Sequence, residues 1–462
     1  MKTASHKHQK GSISIIVAVS LVALLGIVGL AIDSGLGYMI RARLDAATDG
    51  AVVAAGQAVT RGNNQSEQTT NATQAANAFF TANYPAGFLG STATAGTPSV
   101  VFDNKGTVTI NMSAQAQVPV TFMQTLGFKV LNVSASSQAI RKTLDMAFVI
   151  DTTSSMSDSV TQKAVRAGAA NFLNNFDVTN DRVALMHFAA GTVVDVPFKN
   201  SNVRGFDRTT MTTDINNYTF NGNTNSSEAM WNARWQLNHV ITQPSSQRVI
   251  VFFSDGAPNS FSSNFPMTSA ASSCAKPLGT LMTGDAPPQN GKSVQSNPGG
   301  LDSMSAQAQA LSGSCYSSTA ANIDHLPDMY NAHAASEPLV TFPIVTGTPR
   351  VVTKDMNGAS YQTRYINVNR ASRNLLEAMA AQARAEGIFV FALGYGPYLT
   401  GGTGWDNEPG EDVLKCIANV PDALPRCYNP KQPVGVYCYA ATPADLAPCY
   451  SQLASQILRI SQ

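Results

Sequence analysis

Charge is what this chain has least of. Lysine and arginine number 30 and aspartate and glutamate 29 among 462 residues, a charged fraction of 13%, where globular proteins carry about a quarter. The net charge of +1 provides no basic face for a phosphate backbone, so nucleic acid is excluded as a partner class. Cysteine is missing ahead of Cys274, and all six cysteines (Cys274, Cys315, Cys416, Cys427, Cys438, Cys449) fall in the C-terminal part. An even number there suits disulfides in an oxidising compartment, with the pairing left open. The last four are each separated by ten intervening residues, which is not the close CxxC spacing of a zinc–thiolate site.

Catalytic signatures are missing too. There is no HExxH pair for a zinc hydrolase and no GxSxG elbow around Ser154 or Ser155. A phosphatase of the aspartate-nucleophile class needs a second carboxylate two residues after the first as its acid/base, and two residues after Asp151 stands Thr153. An enzyme, a metal-dependent hydrolase included, is therefore the weakest of the function classes.

What the chain does have begins at its N-terminus. Ser12 to Ile32, "SISIIVAVSLVALLGIVGLAI", carries no charge, and as a helix it would span roughly 30 Å, the hydrocarbon thickness of a bilayer. It is longer than the apolar core of a signal peptide, which runs to about 7–15 residues, and reads as a single transmembrane helix. Lys2, Lys7 and Lys10 precede it, whereas Asp33, Asp45 and Asp49 dilute Arg41 and Arg43 beyond it. The positive-inside rule then places the N-terminus in the cytoplasm and everything after Asp33 outside. In a bacterium this means an inner-membrane anchor bearing a periplasmic or surface-exposed C-terminal domain.

Past the span, "DSGLGYMIRARLDAATDGAVVAAGQAV" is rich in alanine and free of proline, so the membrane helix is expected to continue outward for several turns. A second helix is expected over Ser66 to Asn83, followed by strands at "SVVFD", "TVTINMSAQAQV" and "KVLNVSASSQAI" and a short helix at "VTFMQTLGF". Residues 33–142 thus read as an extended helix and a small α+β membrane-proximal module.

From residue 143 to 462 the pattern becomes α/β. Apolar strands "MAFVID", "RVALMHFA", "RVIVFFSD" and "IFVFALGYG" alternate with helical segments at Ser157–Phe176, Ser226–Val240, Ala371–Glu386 and Leu446–Ile460. This predicts a doubly wound, mostly parallel sheet, which binds ligands outside the carboxyl ends of its strands. A stretch at about 257–365, rich in Ser, Pro, Gly and Ala, interrupts the alternation. It holds Cys274 and Cys315 and the strand-like "PLVTFPIVTGTPRVVTK", and a disulfide-tied insertion with some hairpin structure is expected.

The strand ends carry the candidate site. Asp151, Thr153 and Ser155 alternate in "DTTSS" after the first strand of the α/β part, Thr224 lies in the Gly-containing loop "NGNTNSS", and Asp255 ends "VIVFFSDGAP". The first cluster alone could be a helix cap, since Ser157 or Asp158 would cap the next helix. Together the three loops offer oxygen ligands only, the donor set of Mg²⁺, with Ca²⁺ or Mn²⁺ as alternatives. His187, in an apolar strand, and Trp231 with Trp235, four apart on a helix, read as packing residues.

These residues resemble the metal-ion-dependent adhesion site (MIDAS) of von Willebrand factor A (VWA) domains: "DxTxS" at Asp151, Thr153 and Ser155, Thr224 after a Gly-Asn pair, and "SDG" at Asp255. Thr153 replaces the commoner serine and Ser154 the small residue usually found as glycine. The resemblance implies that Ser155, Thr153 and Thr224 hold the cation, that Asp151 and Asp255 bind it directly or through water, and that a partner's carboxylate completes the shell. The N-terminal "QKGSISIIVAVSLVALLGIVGLAIDSGLGYMIRARLDAATDGAVVAAG" resembles the start of TadG-like proteins of tight-adherence (Tad/Flp) pilus assembly, with Asp33, Tyr38, Arg41, Arg43, Leu44, Ala47 and Asp49 in the matching places. Processed prepilins have glutamate five positions after the cleaved glycine, whereas Ile16 follows Gly11 at that distance, so the helix is expected to stay an anchor. The resemblances imply a protein partner in the pilus or secretion machinery. The alternative is a surface adhesin that grips host or abiotic ligands directly.

Overall fold

The computed structural model describes residues 12–460 apart from 62–63, 104–106, 200–203, 242–243, 246, 269–276, 285–297, 300, 308, 310, 312–319 and 335. Lys2, Lys7, Lys10 and Gly11 lie outside the described residues, as do Cys274 and Cys315, so the expectations about the charge flank of the span and a disulfide-tied insertion fall outside them too. The chain forms two compact units, Met1–Arg141 and Lys142–Gln462.

In the first unit, helix α1 (Ser12–Ala58) runs without a break from the apolar span into the folded module. At 47 residues it is about 70 Å long. Ile13 to Ile32 is exposed almost throughout. Beyond it one stripe, Asp33, Gly37, Ile40, Leu44, Ala47 and Ala51, is buried at helical spacing. Its outer part, Ile40 to Ala51, shares one core with Ala72, Ala76 and Phe80 of α2 (Gln65–Asn83). The Asn64 side chain caps α2 by accepting the Glu67 N–H at 3.0 Å.

Four antiparallel strands complete the unit: β1 (Thr92–Ala95), β2 (Ser99–Phe102), β3 (Val108–Pro119) and β4 (Val130–Arg141). β1 and β2 share one edge of β3 and β4 takes the other. Val108, Ile110, Met112, Ala114, Ala116 and Val118 are buried, a strict period of two that turns one face of β3 into the core. The expected helix at "VTFMQTLGF" is a single 3₁₀ turn, Met123–Leu126.

The second unit is built on a six-stranded sheet. Its elements run β5 (Leu144–Asp151), α3 (Ser159–Leu173), β6 (Arg182–Phe188), β7 (Thr192–Val196), α4 (Arg208–Asn217), α5 (Ser226–Trp235) and β8 (Gln247–Ser254). The insertion holds β9 (Ser260–Asn264) and β10 (Leu278–Met282). Then come α6 (Tyr361–Ala385), β11 (Phe389–Tyr395), the short α7 (Pro397–Thr400), a two-residue ladder β12 (Gly402–Thr403) with β13 (Glu408–Pro409), α8 (Gly410–Ala418), β14 (Tyr437–Ala440) and α9 (Leu446–Ile460).

The sheet order is β14-β11-β8-β5-β6-β7, parallel except for the edge strand β7. All eight residues of β5 are buried, as a central strand covered on both faces requires. Phe148 and Ile150 face α3 and α9, where Phe172, Leu173, Tyr450 and Leu453 meet them. Ala147 and Val149 face the other side, where Met230, Leu376 and Val413 pack. The disulfide Cys416–Cys427 ties the end of α8 to the loop after it, and Cys438–Cys449 ties the edge strand β14 to α9.

Two local expectations change. The helix expected from Ser226 to Val240 is α-helical only to Trp235 and ends in a wider turn over Gln236–Val240. The hairpin of the insertion is β9 with β10, whereas Pro338 to Lys354 forms isolated bridges such as Thr346–Val352. Pro338, Pro343 and Pro349 lack the N–H a ladder needs. Phe261, Phe265, Leu281, Leu326 and Phe342 of the insertion enter the same core as Met230, and Arg350 is held by Glu408 at 2.7 Å and Glu377 at 2.8 Å.

Candidate metal-binding site

Parallel pairing brings the acids together. In the β5–β8 register Ile150 lies opposite Phe253, so Asp151 at the end of β5 and Asp255 just past β8 leave neighbouring strands at the same edge. Both are buried. Ser254 donates its hydroxyl to Asp151 Oδ2 at 2.6 Å, and the Thr153 N–H donates to Asp151 Oδ1 at 2.9 Å. Asp255 Oδ1 accepts from Ser155 Oγ at 2.9 Å and Thr153 Oγ1 at 3.3 Å, and the two hydroxyls lie 3.0 Å apart.

The capping role falls on one of the two residues expected for it. Asp158 caps α3 by accepting the N–H groups of Val160 at 3.1 Å and Thr161 at 2.9 Å, leaving Asp151, Thr153 and Ser155 for the strand-end cluster. The Ser154 N–H and hydroxyl both donate to Gly222 O, at 3.1 and 3.0 Å, which joins the first loop to the second. Gly222 has φ +107°, a conformation that only glycine adopts cheaply.

Thr224 is set by a reciprocal clamp: its N–H donates to Asn259 Oδ1 at 2.8 Å, and the Asn259 N–H donates back to Thr224 O at 3.1 Å. Thr224 lines a cavity of about 530 Å³ together with Ser155, Asp255 and Gly256. Pro397 and Tyr398 of α7 and Thr403 of β12 line it as well. The insertion reaches the clamp as well, because Thr283, next to β10, donates its N–H and its hydroxyl to Asn259 O at 2.9 and 3.0 Å.

All five predicted residues are thus at one sheet edge, with Asp151, Thr153, Ser155 and Asp255 in one hydrogen-bonded cluster and Thr224 beside it. Burial pushes the Asp151 carboxyl up to about 6, despite the hydrogen bonds from Ser254 and Thr153. The donor set, two buried carboxylates and three hydroxyls with no nitrogen or sulfur ligand, fits a hard divalent cation.

Gly222, the glycine of the pair ahead of Thr224, supports the site, as do Ser254 and Asn259, to which the sequence reading gave no role. Ser254 becomes meaningful only through the register that sets it beside Asp151, and Asn259 only once the loops converge. His187 is satisfied within the fold: Nδ1 sits 2.9 Å from both oxygens of Asp195, and its ring lies against Tyr218. Trp231 stacks with Trp235 and with His333.

Comparison with known families agrees with both ends of the chain. Residues 146–257 match the family model for the von Willebrand factor type A domain. Residues 11–58 match the model described as Flp pilus-assembly TadE/G-like. The chain therefore carries a TadE/G-like N-terminal region with one long apolar helix, followed by a VWA domain on a mostly parallel sheet. No curated protein resembles it closely enough to count as a match.

Similar solved structures include the pilus adhesin SpaC from Lactobacillus rhamnosus GG, 13% identical over 79% of this chain and 34% of that one, with a TM-score of 0.38. The vWF domain of the type V pili tip protein Mfa5 from Porphyromonas gingivalis is 14% identical over 70% and 98%, TM-score 0.37. The PilB minor pilin from Streptococcus sanguinis is 13% identical over 81% and 79%, TM-score 0.38. The chain spans about a third of the length of SpaC.

Proposed function

We propose that this chain is a membrane-anchored envelope protein of tight-adherence pilus assembly that binds a protein partner through a divalent cation. The observation that carries the reading is the convergence of five oxygen-bearing side chains from three loops on one edge of the VWA sheet, in a chain whose N-terminus is TadE/G-like. Thr153, Ser155 and Thr224 would hold the ion through their hydroxyls, with Asp151 and Asp255 ligating it directly or through water. Mg²⁺ is the ion proposed, because it commonly retains water at positions a protein leaves open. The bound cation supplies a positively charged, exchangeable position that accepts a carboxylate oxygen from the partner. The long apolar helix supports a membrane anchor; the reading sets it in the inner membrane, with the N-terminus cytoplasmic and the VWA domain periplasmic or surface-exposed.

Crosslinking in cells followed by mass spectrometry tests this, comparing wild type with Asp151→Ala. Envelope secretion or pilus components are expected with the wild type and lost with the variant. Cells that lack the protein, still make pili and fail to adhere would favour the direct adhesin instead.

A further inference from the structure

We infer that the turn Thr121–Phe128 is a second membrane contact, wedged into the lipid headgroup boundary beside the helix that crosses the bilayer. The inference rests on the reading of Ser12–Ile32 as the spanning segment.

Asp33 is the first charged residue after that segment and marks where α1 leaves the hydrocarbon. Its carboxylate accepts three consecutive backbone N–H groups, from Thr121 at 3.1 Å, Phe122 at 2.9 Å and Met123 at 2.7 Å, which fixes the turn at the level of the exit. From there the Phe122 side chain runs back along α1 to Gly29, where a Cβ would collide with its ring. Gly29 is one helical turn inside the apolar span, roughly 6 Å deeper than Asp33. The glycine gives the ring its seat at a depth where lipid chains begin.

The rest of the turn has the composition of an interfacial segment. Phe122, Phe128 and Val130 are 42%, 55% and 44% exposed, a group of large apolar side chains that face solvent over about half their surface. Lys129 stands exposed between two of them, and Val120 to Val130 contains no acid to repel anionic headgroups. Aromatic rings in the acyl boundary with a lysine reaching to phosphate are what holds a segment in the plane of the interface. Such a turn would add a second point of attachment to the single helix.

The test uses the full chain in phosphatidylcholine–phosphatidylglycerol vesicles containing lipids brominated either near the headgroup or near the chain end, which quench tryptophan at known depth. Phe128→Trp and Phe122→Trp are read against the native Trp231, Trp235 and Trp405 background. Val101→Trp, exposed on β2 at the far end of β3, and Leu21→Trp, within the span, serve as references. Quenching of the Phe128 and Phe122 variants several-fold above Val101→Trp, strongest with headgroup-proximal bromine, is the expected result. Phe128→Trp unquenched while Leu21→Trp is quenched by deep bromine overturns the wedge and leaves the anchor standing. A blue-shifted but unquenched Phe128→Trp means that protein covers the turn and also overturns it. An unquenched Leu21→Trp removes the anchor itself and the premise with it.

Discussion

Asp33 in the membrane-proximal unit and Asp151 in the VWA unit are both carboxylates buried at the end of an apolar run, and the donors around them differ in kind. Asp33 is held by three backbone N–H groups. An N–H can only donate, so this carboxylate is committed to the chain's own structure. Asp151 and Asp255 meet hydroxyls in Ser254, Thr153 and Ser155, with the Thr153 N–H as a backbone donor to one oxygen of Asp151. A hydroxyl that donates to a carboxylate can rotate and offer a lone pair instead, so the same atoms can leave the acid and face a cation. A buried acid is a structural anchor where its partners cannot turn around, and a candidate ligand where they can.

The largest effect that probes this contrast is expected from Asp33→Ala. Three N–H groups lose their acceptor, which frees the turn from α1 and destabilises the first unit. Hydrogen exchange of the full chain in detergent should show β3 and β4 losing protection, equally with and without Mg²⁺, while β5 and β8 keep theirs. A Mg²⁺-dependent loss would break the distinction.

Next come Asp151→Asn and Asp255→Ala. A cation at a hundred times its Kd stabilises the wild-type VWA unit by about 2.7 kcal/mol, and either variant should abolish that increment. A wild type that melts at one temperature with and without Mg²⁺ would sink the metal reading altogether.

The pH response separates the regions further. Asp151 is raised to about 6 by burial, above the roughly 3.9 of an unfolded aspartate. Its folded form therefore binds the proton more tightly than its unfolded form. The metal-free protein should lose stability as pH rises from about 4 through 6, with the penalty fully present above that window. A bound cation favours the ionised carboxylate and should remove this slope, so melting curves from pH 4 to 8 with EDTA or Mg²⁺ ought to diverge towards neutrality. Parallel curves would count against the assignment.

The smallest effect is expected from Thr153→Ser, which keeps the hydroxyl, removes one buried methyl at a cost of about 1 kcal/mol and should leave the Mg²⁺ response intact. Thr153→Val keeps the shape but removes the oxygen, and it should blunt that response.

Much of this was legible in the residues. The uncharged run from Ser12 to Ile32, the period-two alternation of β3 and the buried runs of β5 and β8 depend on local pattern, and a local pattern can be read in one pass. The five oxygen residues were found because each follows a recognisable strand or glycine turn. What escaped depends on long-range register. Ser254 acquires its role only opposite Asp151, and Asn259 only where its loop meets that of Thr224. Strand β14 escaped because it is four residues long and pinned by a disulfide, so it needs no long apolar run of its own. The insertion misled because "PLVTFPIVTGTPRVVTK" has strand composition but prolines at the points where a ladder would form.

The unbroken course of α1 through the membrane exit has a consequence of phase. With no linker between the span and the stripe of Gly29, Asp33, Gly37, Ile40 and Leu44, the azimuth of the spanning helix fixes which way the membrane-proximal sheet faces. Each residue of an α-helix turns the next by about 100°. The number of residues in the helix is therefore an angular setting as well as a length, and a neighbour that gripped the span from one side would find the sheet presented at a defined bearing.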